Sequence, residues 1–470
     1  MRPDTTENKI AFIRKYMKAQ NAATGSDVDQ NANVSNKNIA TMAAELPKKD
    51  IIALNRELMR QKLTSMYGED LAAQYEKDLA HHIIYKHDET SIFPYCCSIS
   101  LYPFLLDGLT KIGGSSTAPQ HLDSFCGSFI NLIFLVAGQF AGATATPEFL
   151  TYFDHFARKD YGENYIDRLD EVVEFTSRPS TLRDKLEHYF AQVTYTLNQP
   201  AGARGYQSIF WNIAYFDRDY FNSIFKDFVF PDGDEPCWET TKELQKLFMK
   251  WFNAERLKNI LTFPVETVNM HTVDGQYSDS ETADFMAEMW AEGASFFMYQ
   301  SDSVDSLSSC CRLRNGIEDN TFSYTLGAGG IETGSKGVIT LNLNRIVQDW
   351  TRESEEELPL YITAIVNRVH KYLTAFNEII WDSKNAGLLT IFNAGFIDLD
   401  RQYLTIGING FVEGAEYLGI PIDADSAEYQ LYAKDILETI KNLNIAARTD
   451  RCKFNTEFVP AESLGVKNAK

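Results

Sequence analysis

The sequence predicts an α/β protein, one large body of helices and short strands that follows a helical start. Two alternating segments and one amphipathic segment predict it. Residues 337–345 (GVITLNLNR) place Ile339, Leu341 and Leu343 on one side and Thr340, Asn342 and Asn344 on the other. Residues 403–410 (YLTIGING) repeat the pattern, with Leu404, Ile406 and Ile408 opposite Thr405, Gly407 and Asn409. Both read as strands with one apolar face and one small, polar face. A barrel with a polar lumen produces this pattern, and so does a sheet with one solvated face. Between them, residues 359–381 form an amphipathic helix with Ile362, Ile365, Val366, Val369, Tyr372, Leu373 and Phe376 on one side.

The remaining elements follow in chain order. Residues 1–50 are polar, and residues 22–37 (AATGSDVDQNANVSNK) lack periodicity and read as a mobile linker. Residues 50–90 read as helix, from the spacing of Ile51, Leu54, Leu58 and Leu63 and of Leu71, Tyr75 and Leu79; His81, His82 and His87 fall on it without converging on one face. From residue 91 apolar helices and strand-like runs alternate. The expected organisation is a helical segment with linker, 1–90, and an α/β body, 91–470. The most apolar stretch, residues 128–145, contains Asn131 and Gln139 and reads as a buried core or interface helix, with Gly138 and Gly142 spaced for close backbone approach.

Composition excludes several functions. The chain has 470 residues, with 44 Lys+Arg against 65 Asp+Glu, a formal net charge of −21. That balance rules out binding nucleic acid through a net positive field. Hydrophobic residues at 44% and aromatic residues at 13% support a large core and argue against disorder. Seven cysteines are too few for a secreted disulfide scaffold. The N-terminus has no signal-peptide hydrophobic region and no run is long enough for a membrane span, so the expected location is the cytoplasm.

The chemistry-bearing residues begin with two cysteine doublets. Cys310-Cys311 sits in a Ser-rich approach followed by Arg312 and Asn315-Gly316, a loop-tip pattern with cations beside the thiols. Cys96-Cys97 lies in PYCCSISLYP. Successive strand residues face opposite sides, so only one cysteine of each doublet can face a given cavity. The plain alternative is cysteine acting as a small hydrophobe. Adjacent cysteines chelate zinc poorly, and no metal is expected. Residues 202–212 (GARGYQSIFWN) form a glycine-punctuated polar run entering an aromatic strand, and residues 327–337 are also glycine-rich; neither has phosphate-loop spacing. Near the end, NTEFVPAESL reads as a strand and a turn whose backbone N–H groups could hold phosphate.

Together these segments resemble the anaerobic (class III) ribonucleotide reductase large chain, a glycyl-radical enzyme family. CCSISLYPFLLDGL, SFINLIFLVAGQFAGATATPEFLTYFDHFARKDYG, RGYQSIFWNIAYFD, SSCCRLRNG, GAGGIETGSKGVITLNLNR, IGINGFVEGAEYLG and NTEFVPAESLGVKN stand in family order from about residue 91 to the end. The resemblance implies a ten-stranded α/β barrel with a central finger loop. It implies reduction of ribonucleoside triphosphates to 2′-deoxyribonucleoside triphosphates by thiyl-radical chemistry, with formate as reductant. By this resemblance Cys311, with Cys310 as the adjacent candidate, takes the thiyl position, and Cys97, with Cys96 as runner-up, takes the facing strand position. Asn342, Asn344 and Asn409 become candidates for holding ribose hydroxyls and formate. Val459, Pro460, Ala461, Glu462, Ser463 and Leu464 resemble the triphosphate loop, and Ser98, Arg204, Gln207 and Ser208 join them as candidate substrate contacts.

The family's C-terminal radical glycine and four-cysteine zinc site have no counterpart here, and neither does its N-terminal ATP cone. The expectation is a truncated chain or the N-terminal product of a split gene. A separate C-terminal polypeptide would then supply the glycyl radical and zinc site, and an iron–sulfur, S-adenosylmethionine-dependent activase would install the radical. ATP and dNTP effectors acting on a homodimer are further implied partners. Another glycyl-radical enzyme (an acyl-lyase or dehydratase) and a non-catalytic nucleotide-binding remnant are the rival readings.

Overall fold

A computed structural model of the chain describes residues 4–28, 36–173, 179–202, 206–304, 306–308, 314–316 and 331–458. It divides into two compact units: residues 1–95, 335–388 and 399–470 form one, residues 96–334 and 389–398 the other. Ten strands carry the main β-structure: β1 (Ile84–Lys86), β2 (Cys96–Ser98), β3 (Thr144–Ala145), β4 (Trp211–Phe216), β5 (Val265–Val273), β6 (Gln276–Tyr277), β7 (Phe297–Ser301), β8 (Thr333–Asn342), β9 (Tyr403–Asn409) and β10 (Lys453–Phe458). The helices needed below are α1 (Lys48–Tyr67), α2 (Glu69–Ala80), α3 (Leu122–Ala137), α4 (Phe149–Tyr161), α5 (Trp238–Lys258), α6 (Leu343–Glu353), α7 (Leu358–Asn385) and α8 (Ala427–Ala446). The α/β class and the number of strands are those expected.

In the first unit β8, β9 and β10 run parallel, and β1 adds antiparallel to β8. The register puts Ile339 beside Ile406 and Thr456, and Gly337 beside Leu404 and Phe454. This is the face that helices cover. A Cβ at Gly337 would come within 2.6 Å of the Phe376 ring on α7. His370 on α7 lies 4.5 Å, centroid to centroid, from Phe454, and Asn444 on α8 donates to Thr456 Oγ1 at 2.8 Å. The opposite face is polar: Ser335 Oγ and Thr405 Oγ1 are 2.8 Å apart, and Thr405 Oγ1 donates to Asn455 Oδ1 at 2.8 Å. The two-faced pattern expected for both segments is therefore present.

In the second unit β2, β3, β4, β5 and β7 are parallel, and β6 turns back on β5. Its core is aromatic. Trp211 on β4 meets Phe129 of α3 at 5.7 Å and Phe149 of α4 at 5.1 Å, and Phe125 stacks on Phe156 at 5.0 Å. A buried network ties α4 down: Asp154 accepts from Arg158 Nε at 3.0 Å, Tyr165 OH at 2.7 Å and Thr240 Oγ1 at 2.9 Å.

Four expectations are corrected. The strand read over 337–345 ends at Asn342, whose side chain accepts from Arg345 N at 3.2 Å and caps α6, so Leu343 and Asn344 are helical. The helix read over 50–90 breaks at Gly68 (φ 93°), stops at Ala80, and gives way to β1; His82 and His87 lie outside any helix. The helix read over 128–145 ends at Ala137, so Gly138 and Gly142 are not a helical pair and Thr144–Ala145 is a strand. Within the segment read as a linker, Ala22–Gly25 forms a helical turn, and residues 29–35 lie outside the described residues.

In the first unit, Asp78 on α2 is buried and accepts from Arg368 Nε at 2.6 Å, Arg368 Nη2 at 3.1 Å and Tyr372 OH at 2.9 Å. Removing the carboxylate strands the Arg368 cation. Asp78→Ala is expected to cost about 3 kcal/mol, read as a lowered urea midpoint.

Candidate active site

The cysteine strand belongs to the second unit. β2 pairs with β3 through Cys97↔Thr144 and Ser98↔Ala145, and β3 with β4 through Thr144↔Trp211 and Ala145↔Asn212. Paired residues in adjacent strands share a face, and neighbours along a strand do not. One row is therefore Cys97, Thr144 and Trp211, and Trp211 packs on α3 and α4. The other row is Ser98, Ala145 and Asn212, with Cys96 two residues before Ser98. The register turns Cys97 toward the helices and Cys96 toward the small, polar face.

That face carries unsatisfied polar atoms. Ser98 Oγ and Asn212 Oδ1 are buried without a hydrogen-bond partner among the described residues, and so is Thr144 Oγ1 in the Cys97 row. Asn212 Nδ2 donates to Thr267 Oγ1 at 3.3 Å, which fixes the amide plane. Ala145, with its single methyl, lies between the two. A buried hydroxyl and amide oxygen left unpaired are costly, and they suit a ligand that brings hydroxyl groups.

The strand is held closely on its other flank. Gly334, at the start of β8, has φ +144°, and a Cβ there would come within 2.3 Å of Cys96 O and 2.9 Å of Cys97 Cα. Only glycine permits this approach. Beyond β2, Glu148 at the start of α4 is fully buried. Its Oε2 accepts from Leu101 N at 2.7 Å and from Ser100 Oγ at 3.4 Å, and Tyr152 OH reaches Oε1 at 3.5 Å. Burial pushes the Glu148 carboxyl up to about 8; the Leu101 amide pulls the other way and the Glu332 charge adds to the rise. On the helix side of β5, Glu266 accepts from Tyr215 OH at 2.5 Å and Arg256 Nη1 at 2.8 Å, and burial raises it to about 7.

The other candidates fall as follows. Cys310, Cys311, Arg204 and Val459, Pro460, Ala461, Glu462, Ser463 and Leu464 lie outside the described residues. Ser208 Oγ donates to Asn198 O at 2.7 Å in the approach to β4, and Gln207 forms an isolated bridge with Ala201. In the first unit, Asn342 both caps α6 and donates to His82 O at 3.1 Å, so its amide is engaged by the fold. Asn344 accepts from Gln348 Nε2 at 2.9 Å. Asn409 ends β9 opposite Asn342. Asn212, Glu148 and Gly334 escape the sequence reading. A lone amide inside the apolar run FWNIAYF is the signal that points to Asn212; the acid opening the apolar helix after TATP points to Glu148. Among the described residues no cluster of three or more His, Cys, Asp or Glu could hold a metal.

Parallel strands backed by helices on one face, with a buried thiol and unpaired polar groups on the other, suit an α/β enzyme that closes its chemistry away from water. The comparisons specify which. A family model described as anaerobic ribonucleoside-triphosphate reductase matches residues 45–470, and the chain belongs to that family. The anaerobic ribonucleotide reductase of Thermotoga maritima with dATP bound in its specificity site is 30% identical, with a TM-score of 0.80 over 92% of this chain and 72% of that one. The same enzyme in complex with dATP and CTP is 30% identical, with a TM-score of 0.79 over 92% and 70%. With citrate in its active site it is 29% identical, with a TM-score of 0.79 over 92% and 76%. No curated protein matches the chain. The protein is thus an enzyme of the ribonucleotide-reducing class. No helix among the described residues is long and apolar enough to cross a membrane.

Glu148 has an ordinary value of 4.5 and about 8 in the fold. Between those values the folded chain keeps a proton that the unfolded chain has released, so its contribution lowers stability as pH rises through this window. Urea midpoints measured across it are expected to fall less steeply for Glu148→Gln than for the native chain.

Proposed function

We propose that the chain reduces ribonucleoside triphosphates to 2′-deoxyribonucleoside triphosphates by thiyl-radical chemistry with formate as reductant. Cys311 carries the thiyl and takes the ribose 3′-hydrogen. The 2′-hydroxyl then leaves as water. Cys96 gives its thiol hydrogen to C2′. Formate restores that thiol with its own hydrogen, passes its remaining electron, with a proton, to the 3′-ketone and departs as carbon dioxide. The 3′-hydrogen returns from Cys311, leaving its radical restored. The strand thiol that faces the substrate is Cys96, rather than the neighbouring Cys97 that the resemblance alone favours. The register of β2 is the observation that carries this choice, since it groups Cys96 with Ser98 and Asn212 and groups Cys97 with Trp211. Ser98 and Asn212 suit ribose hydroxyls by their unpaired oxygens. A thiyl survives only where water and stray hydrogen donors are excluded, and full burial of the polar row meets that need.

The glycyl radical comes from a C-terminal segment or partner chain that also holds the zinc site, and an iron–sulfur, S-adenosylmethionine-dependent activase installs it. Residues 460–464 take the triphosphate, ATP and dNTPs act as effectors on a homodimer, and the enzyme works in the cytoplasm. The sets of nucleotides in the Thermotoga complexes, dATP with CTP, fit a substrate and an effector bound at once.

The test is an anoxic assay of dCTP formation from CTP and formate, with the activated C-terminal radical segment supplied. Cys311→Ser and Cys96→Ser are each expected to lower turnover by at least about 10³-fold, and Cys97→Ser by less than about tenfold. Equal losses at Cys96 and Cys97, or a greater loss at Cys97, would overturn the assignment. Turnover independent of Cys311 would overturn the reaction.

A further inference from the structure

We propose that Glu148 is a positioning residue that locks the register of the cysteine strand and so selects which thiol of the doublet faces the substrate side. This deepens the proposed function and rests on Cys96 as the strand thiol.

The pairing of β2 with β3 is short. Two residue pairs are in register, and Cys97 N donates to Ala143 O at 3.0 Å and Ile99 N to Ala145 O at 3.0 Å. A one-residue slip would move every β2 side chain to the opposite face. In most strands such a slip exchanges an apolar residue for a polar one at each position. At a Cys-Cys doublet it exchanges thiol for thiol, so those two positions give the fold no preference between registers. Within the strand only Ser98 discriminates, and on the strand's other flank the close approach of Gly334 to the Cys96 carbonyl adds a constraint on position.

Glu148 supplies the side-chain part of the discrimination at the exit of the strand. It stands three residues past Ala145 on the chain that leaves β3, and its carboxyl grips Ser100 and Leu101 on the chain that leaves β2. Ser100 N is also held by Phe396 O at 3.0 Å, and Ser100 Oγ accepts from Tyr102 N at 3.2 Å. One residue of slip displaces the strand by about 3.3 Å, more than a hydrogen bond tolerates. The Leu101 amide would leave the carboxyl, and the buried acid would lose its principal donor. The bond at 2.7 Å exists in one register only. Because a neutral carboxyl and an amide share length and acceptor oxygen, glutamine at this position preserves the grip.

The experiment uses the reduced 470-residue chain under anoxia. It is treated with a small alkylating reagent, iodoacetamide, over a time course, and peptide mass spectrometry locates the label. Both thiols are buried, so labelling of the native chain follows transient opening of either face, and opening of the polar face is expected to label Cys96 several-fold faster than Cys97. Glu148→Ala should bring the two rates within about twofold of each other, as expected for a strand sampling both registers, while Glu148→Gln keeps the native ratio. Should Glu148→Ala unfold, as judged by circular dichroism, Glu148→Asp carries the test, since it loses one methylene of reach. Equal labelling in the native chain, an unchanged ratio in the alanine and aspartate variants, or a glutamine variant as perturbed as alanine would each overturn the lock. The readout is independent of dCTP formation, so failure of the reductase reading and failure of the lock give different results.

Discussion

The parallel ladder between β2 and β3 governs the rest of the second unit. Its two backbone bonds decide that Thr144 and Trp211 look toward α3 and α4 while Ala145 and Asn212 look away. Everything chemical then follows from parity. The helix-facing row is dominated by Trp211 and the phenylalanines around it, with one unpaired hydroxyl at Thr144. The opposite row is small and polar, with unpaired oxygens that no neighbouring strand satisfies. A cysteine is acceptable in either row, which makes this doublet the one place where parity is chemically silent.

Buried acids appear around the strands in a consistent role. Asp154 and Asp78, on helices, and Glu266, on β5, each gather an Arg with one or more hydroxyls. Glu148 differs in having no cation: its partners are an amide and two hydroxyls. That is why its carboxyl is displaced furthest among these acids with a value, to about 8 against about 7 for Glu266 and about 6 for Asp154. An ion pair offsets part of the cost of burial, whereas neutral partners leave the charged form unfavourable.

Much of this was legible in the residues. The alternation in β8 and β9 reports the face that α7 and α8 cover, because one-sided burial imposes a strict period of two. The amphipathic stripe of α7 is equally direct. Boundaries were not legible where capping decided them: Asn342 continues the alternation perfectly, yet its side chain starts a helix. Similarly, the apolar run through Ala145 conceals a helix end at Ala137 because both the helix and β3 are buried, and burial on all sides erases periodicity. At the site, composition identifies the doublet, while the choice within it depends on pairing between segments nearly fifty residues apart. Asn212 and Glu148 depend on the same long-range placement, so local pattern could only mark them as polar residues in apolar surroundings.

Gly334 carries a consequence for how this enzyme can diversify. Its missing side chain is the space that the Cys96 carbonyl fills. A side chain there would press on backbone rather than on a yielding side chain, so any replacement has to move the strand that carries the doublet.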